Sequence, residues 1–415
     1  MQADLLIYNA AQVLTVASPE GPKRGAAMDD VGLIPDGAVA IRDGRILDVG
    51  PSDELRSQVR AARSLYAGGY VVLPGFVDPH THLVWAGERA QEFEMRVGGA
   101  DYMEIMAAGG GIMNTVRQTR EADLDALVHH SQRRLERMVA HGTTTVEIKT
   151  GYGLNVKDEL KQLAAIRRLQ ELSPANLVAT FLGAHAIPTE YEGRAEEYVD
   201  LVMGEMLPAV AELETPPRFC DVFCEEGAFS LDQSRRILKS ARALGFQLKI
   251  HVDEFQALGG TDLAVELGAV SADHLVCTPP DEIERLARSD TIAVALPGTP
   301  FGLGQNEYTP ARAIIAAGGA LALATDCNPG TCWCESMPFM IALACRYMAM
   351  TPAEAISAAT INAAHALGLG DVVGSLEPGK RADLILVDAP SFAHLAYRFG
   401  TNLVDGIVIG GQVLS

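Results

Sequence analysis

The sequence predicts a (β/α)8 TIM-like barrel with a small β-sandwich domain built from both chain termini. Three observations carry this expectation. Eight short apolar runs alternate with helical patterns over about 300 residues in the middle of the chain, the rhythm of a parallel barrel. Both ends instead read as short strands broken by Gly, Pro and Asp, and chain ends commonly lie together. Several His and Asp residues fall just past apolar runs, where a barrel gathers its chemistry. The expected division is residues 1–72 and 372–415 for the small domain and 73–371 for the barrel.

Taken in order, residues 3–9, 37–42 and 45–49 alternate in the manner of short antiparallel strands. Residues 382–387 and 404–413 behave alike at the other end. Barrel strands are expected at 75–78, 144–149, 178–182, 219–222, 247–252, 271–274, 292–296 and 320–325. Helices are expected at 123–141, 158–172, 231–244, 260–268, 280–289 and 310–318. A doubly wound sheet is the runner-up, but no Gly-x-Gly-x-x-Gly follows an early strand. Gly109-Gly110-Gly111 lacks the lysine of a phosphate loop and reads as a flexible active-site loop.

Composition narrows the class. The chain has 415 residues, 48% hydrophobic and 21% charged, as in a soluble globular protein. A net charge of −20 argues against nucleic acid, which needs a basic stripe. No membrane span and no secretory signal are visible, and seven cysteines without disulfide spacing fit a reducing cytoplasm. Cys327, Cys332 and Cys334 cluster, but without a second pair they read as small buried residues rather than a zinc site.

His80 and His82 end an apolar run, and side chains two apart on a strand share a face. His251 ends another run and Asp326 a third. Three imidazoles and a carboxylate suit Zn²⁺ and Fe²⁺ alike and leave a position for water. His185 and His274 also follow apolar runs, and a lone His there is ordinarily structural; the joint placement is what matters. Glu254, three residues past His251, is either a proton shuttle or an ordinary surface glutamate. His129, His130, His141, His365 and His394 lie in helical or terminal contexts and receive no role.

Pro74-Gly75-Phe76-Val77-Asp78-Pro79-His80-Thr81-His82 resembles the first-strand motif of the amidohydrolase superfamily. Gly374-Ser375-Leu376-Glu377-Pro378-Gly379-Lys380-Arg381-Ala382-Asp383-Leu384 resembles its return into the small domain. His251-x-x-Glu254 with Asp326 is similar to the mononuclear branch; a bridging, carboxylated lysine would imply two metals, and Lys149 is the one candidate. Within the superfamily the likeness extends over essentially the whole chain. It runs through His82 to Arg89, Lys149-Thr150-Gly151-Tyr152-Gly153-Leu154, Gly183-Ala184-His185-Ala186 and Thr325 to Thr331. These segments resemble the members that open 4-imidazolone-5-propanoate to N-formimidoyl-L-glutamate, the third step of histidine degradation.

The resemblance implies one metal, zinc or iron, on His80, His82, His251 and Asp326. It implies substrate contacts from Arg89, Tyr152, His185, Glu254, Asn328, Gly330 and Thr331, and catalytic roles for Glu254, His274 and Asp326. A homodimer is a superfamily-level expectation. Arg89 suits the propanoate, since guanidinium binds carboxylate bidentately, although an isolated Arg more often makes a surface ion pair. Tyr152, between two glycines, is expected to stand exposed for use. Two rival readings are a deaminase of a guanine- or cytosine-like ring and a catalytically inactive scaffold. Ammonia release separates the first, and intact metal ligands argue against the second.

Overall fold

The computed structural model describes residues 1–99, 104 and 109–414. The chain opens in a mixed sheet. β1 (Gln2–Leu14) pairs antiparallel with β2 (Leu33–Arg42), and β2 with β3 (Arg45–Pro51). On its other side β1 has two parallel partners in succession, β4 (Arg60–Tyr66) and then β5 (Val71–Pro74). The exchange falls at a register shift between Ile7 and Ala10, where Asn9 adopts φ 58. These parallel pairings correct the all-antiparallel expectation. Alternating hydrophobicity reveals which face of a strand is buried, not the direction of its neighbour. The helix Ser52–Gln58, hidden in a polar stretch, supplies the crossover between β3 and β4.

The barrel follows after Gly75. Its strands are β6 (Phe76–Asp78), β7 (Thr143–Lys149), β8 (Asn176–Ala184), β9 (Phe219–Cys224), β10 (Gln247–Val252), β11 (Ser271–His274), β12 (Ile292–Ala295) and β13 (Leu321–Leu323). They pair in sequence order, each parallel to the next. Helices cover the outside because their apolar stripes need burial. The helix Leu124–Ala140 starts at Asp123, whose side chain accepts from Ala126 N, and buries Leu127, Val128, Leu135 and Met138. Each such side chain contributes about 1.5–3 kcal/mol of transfer free energy.

The seam between β6 and β13 is sewn beyond the strand ends. Asp326 N–H donates to the His80 carbonyl at 3.1 Å, and His82 N–H to the Cys327 carbonyl at 3.0 Å. The Asp78 carboxylate spans the same gap, accepting from Thr325 N at 3.1 Å and Thr325 Oγ1 at 2.5 Å. Closing the ring therefore brings His80, His82 and Asp326 side by side.

After the barrel, three helices, Met337–Tyr347, Pro352–Ala359 and Ile361–His365, pack inward, and β14 (Leu384–Val387) returns antiparallel to β5. β15 (Val404–Ile409) and β16 (Gln412–Leu414) complete the sheet as a hairpin through Gly410 and Gly411. Its far edge curls back: Ile46 N–H bonds the Lys380 carbonyl and Ala382 N–H the Gly44 carbonyl, each at 2.9 Å. Leu5, Ile7, Val39, Ile41, Ile46, Leu384, Leu386 and Val408 fill the interior so enclosed. Among the described residues no helix is long and apolar enough to cross a membrane.

Candidate active site

His80 and His82 lie just past β6. Between them Thr81 bridges Cys327, which keeps the backbone extended and turns both rings the same way. His251 comes from β10. Ligand-capable atoms of these three histidines lie within 4.8 Å of one another. Asp326 Oδ1 is 3.6 Å from His80 Nε2 and 3.5 Å from His82 Nε2, and the Nε2 atoms of His82 and His251 are 3.5 Å apart. All four side chains named from the sequence thus share one centre.

The donor set fits a divalent cation. His80 Nε2 is buried with no hydrogen-bond partner, while its Nδ1 is 2.6 Å from Asp273 Oδ2. His251 Nδ1 lies 3.1 Å from Asp221 Oδ2. A carboxylate behind Nδ1 leaves the Nε2 lone pair facing the centre. Burial first, then neighbouring positive groups, holds His80 and His82 well below the ordinary imidazole range, so both rings are neutral. Asp326 is fixed by Thr299, whose Oγ1 donates to Oδ2 at 2.5 Å; burial pushes the carboxyl up to about 6.

Backbone strain concentrates here. Asp253, His274 and Asp326 have φ of 54, 83 and 53, at or within three residues past the ends of β10, β11 and β13. Such conformations cost about 1–3 kcal/mol each in a non-glycine residue, and they aim side chains that a regular strand would misdirect. His274 Nε2 lies 3.6 Å from Glu254 Oε2. Glu254 is buried, not a surface residue, and burial followed by Asp326 and Glu225 raises its carboxyl well above the usual range.

The remaining residues extend outward. His185 stacks on His82 (centroids 4.8 Å apart, 16° between planes), and its Nδ1 is 3.0 Å from the Gly151 carbonyl. Tyr152 is only 4% exposed, which corrects the expectation of an exposed side chain. The reason is Glu159, which accepts from Gly151, Gly153 and Leu154 N–H, while Gln162 accepts from Tyr152 N–H; these bonds draw the turn inward. Burial and then Asp326 raise the Tyr152 hydroxyl while Arg89 opposes, so Tyr152 sits within electrostatic reach of both.

Arg89 is partly buried against Glu92, Nη2 to Oε2 at 2.7 Å. It presses on Gly330, where a Cβ would stand 2.1 Å from Nη1. Asn328 is saturated: Oδ1 accepts from Gly330 and Thr331 N–H, and Nδ2 donates to the Asp326 carbonyl and Thr331 Oγ1. Arg89, Gly330 and Thr331 line a cleft of about 480 Å³ with Phe93, Phe301 and Trp333. The imidazoles are not among its walls; the two groups meet through the turn that begins at Asp326. Cys327, Cys332 and Cys334 form no metal cluster among the described residues.

Comparison with known proteins bears on this geometry. The Amidohydrolase family profile matches residues 71–414, and a profile described as an imidazolonepropionase-like composite domain of bacteria matches 37–58. The chain is 54% identical to the imidazolonepropionase of Herpetosiphon aurantiacus, covering 99% of this chain and 97% of the relative. It is 50% identical to that of Symbiobacterium thermophilum, at 99% and 97%.

The chain belongs to the imidazolonepropionases of the amidohydrolase family.

Solved structures show the same fold. A zinc-bound adenosine deaminase from Xanthomonas campestris superposes with a TM-score of 0.72 at 21% identity, covering 99% of this chain and 93% of that one. The Escherichia coli guanine deaminase gives 0.73 at 15% identity, covering 99% and 98%. At such identities the likeness concerns architecture alone.

Sequence reasoning gave no role to Asp221, Asp273, Thr299, Glu225 or Glu159. A signal existed for the first two: a charge inside an apolar barrel strand is costly unless paired, and Asp221 and Asp273 interrupt such runs. Thr299, Glu225 and Glu159 carry no comparable mark, since each acts on a segment that only the fold brings to it.

Proposed function

We propose that this chain hydrolyses the cyclic amide C–N bond of 4-imidazolone-5-propanoate to N-formimidoyl-L-glutamate, using one divalent cation, zinc or iron. The supporting observation is the convergence of His80, His82, His251 and Asp326 in a chain 54% identical to an imidazolonepropionase. The Nε2 atoms of the three histidines and Oδ1 of Asp326 would hold the cation. When bound, it supplies Lewis acidity towards the ring carbonyl and lowers the pKa of water to ~7.

The chain's own groups do the rest. Arg89 clamps the propanoate tail with its fork, assisted by the Tyr152 hydroxyl and the Gly330–Thr331 turn, which Asn328 holds in shape. His185, its Nδ1 engaged with Gly151, offers Nε2 to the ring. Water adds to the carbonyl carbon, and His274 stabilises the developing oxyanion. Glu254, whose carboxyl a bound dication would return to the ionised form, takes the water's proton and delivers it to the departing ring nitrogen as the C–N bond breaks. Glu254 suits this duty because its carboxylate hydrogen-bonds to nothing among the described residues, whereas Asp326 is tied to Thr299. Seven cysteines outside any disulfide fit a reducing cytoplasm.

The test is direct. Purified protein given 4-imidazolone-5-propanoate should consume it and yield formimidoylglutamate with no ammonia. Ammonia from an amino-substituted ring would point to a deaminase, and an unchanged substrate would sink the proposal.

A further inference from the structure

Beneath the three imidazoles lies a buried ionic lattice that the proposed reaction does not use. β7 presents Glu147 and Lys149, β9 Asp221, β10 Lys249 two residues before His251, and β11 Asp273. All five are 0% exposed. Lys149 Nζ lies 2.7 Å from Glu147 Oε1, 2.8 Å from Asp221 Oδ2 and 3.8 Å from Asp273 Oδ2. The same two aspartate oxygens face histidines: Asp221 Oδ2 is 3.1 Å from His251 Nδ1, and Asp273 Oδ2 is 2.6 Å from His80 Nδ1. One ammonium is therefore shared by two carboxylates, each backing a different imidazole.

Burial alone would lower the Lys149 pKa, but Asp221, Glu147 and Asp273 outweigh it and hold the group above an ordinary lysine. It is a fixed cation, and a poor amine for carboxylation. Lys249 stands differently: it donates to the Pro79 carbonyl at 2.7 Å and is 3.8 Å from Asp273, and burial lowers its pKa.

We propose that Lys149 is a positioning residue of the metal site, its ammonium clamping Asp221 and Asp273 so that they hold His251 and His80 with Nε2 towards one divalent cation. This rests on the metal-site reading above. A buried carboxylate stripped of its counter-charge is strongly disfavoured where it stands and turns towards another partner, and then no longer fixes the ring behind it. Loss of such partners typically costs 10–100-fold in metal affinity. An ammonium near the centre also repels a dication. Removing Lys149 thus has two opposed effects, and the sign of the change says which one governs.

The experiment measures Zn²⁺ affinity of the full chain by competition with a chromophoric chelator, and the visible spectrum of the Co²⁺-loaded protein. The forms compared are wild type, Lys149→Met, Asp221→Asn/Asp273→Asn and the triple variant. Lys149→Met should weaken Zn²⁺ binding roughly 10–100-fold and alter the Co²⁺ bands. In the double-asparagine background the same substitution should change affinity by less than about threefold. Equal or tighter binding by Lys149→Met overturns the proposal, as does an equal effect in both backgrounds. If Lys149→Met does not fold, the two single asparagine variants and their double form the cycle. A shared ammonium requires the double to deviate from the product of the singles by more than about threefold; simple multiplication overturns it. Wild type that binds no stoichiometric Zn²⁺ would defeat the metal-site reading itself, and the proposal with it.

Discussion

Replacing Glu254 by glutamine isolates the proposed proton carrier. Glu254 is 8% exposed, and His274 Nε2 lies 3.6 Å from its Oε2. An amide of the same shape removes no hydrogen bond made among the described residues and leaves the three imidazoles untouched. Loss of general acid–base catalysis should lower kcat by roughly 10²–10⁴, or about 2.7–5.4 kcal/mol of barrier. Stability should move the other way. Burial, then Asp326 and Glu225, raises the Glu254 carboxyl well above its ordinary 4.5, so the folded chain keeps a proton that the unfolded chain has released. The native state then binds more protons, and its stability falls as pH rises from about 4.5 towards the folded value. Glutamine has no proton to lose. Metal-free Glu254→Gln should therefore melt above wild type at pH 7, with the gap closing towards pH 4.5. Steady-state kinetics, metal analysis and melts at both pH values check the three parts. Wild-type turnover with full metal content would remove Glu254 from the mechanism.

Three further substitutions probe other links. Arg89→Ala should raise KM roughly 10- to 150-fold with little change in kcat, the worth of a charge-assisted bond of about 1.5–3 kcal/mol; a wild-type KM would mean the tail binds elsewhere. Thr299→Val leaves Asp326 Oδ2 buried without its 2.5 Å donor, so kcat/KM should fall by about tenfold or more. Kinetics identical to wild type would show that Asp326 needs no such support. Asp78→Ala strips the barrel seam of the bonds to Thr325 N and Oγ1 and should destabilise the fold by about 1–3 kcal/mol, read as a lower urea midpoint. No shift would place the closure of the ring elsewhere.

The barrel was largely legible because strand and helix periods alternate cleanly: β10 and β11 fall on the expected residues 247–252 and 271–274. The helices after Asp326 were missed because Pro352–Ala359 buries residues on nearly every side and shows no amphipathic stripe. The partners of β1 were missed because direction of pairing depends on a crossover rather than on the strand. At the site, His80, His82, His251 and Asp326 stood out by chemistry and by their place after apolar runs. Tyr152 misled because its flanking glycines suggest exposure, whereas the buried Glu159 that captures the turn lies in the next helix, Val156–Leu172. Asn328 looks like a ligand-facing amide in sequence, yet all its hydrogen-bonding capacity is spent on its own turn. Such commitments depend on distances that no linear pattern records.

The most direct test of the account is the metal content of the purified chain, with turnover of 4-imidazolone-5-propanoate measured before and after chelation. One divalent cation per chain, activity that disappears on its removal and returns with zinc or iron, and loss of both metal and activity in His251→Ala are the expected results. Full turnover by metal-free protein would contradict the convergence of His80, His82, His251 and Asp326 on a single catalytic cation.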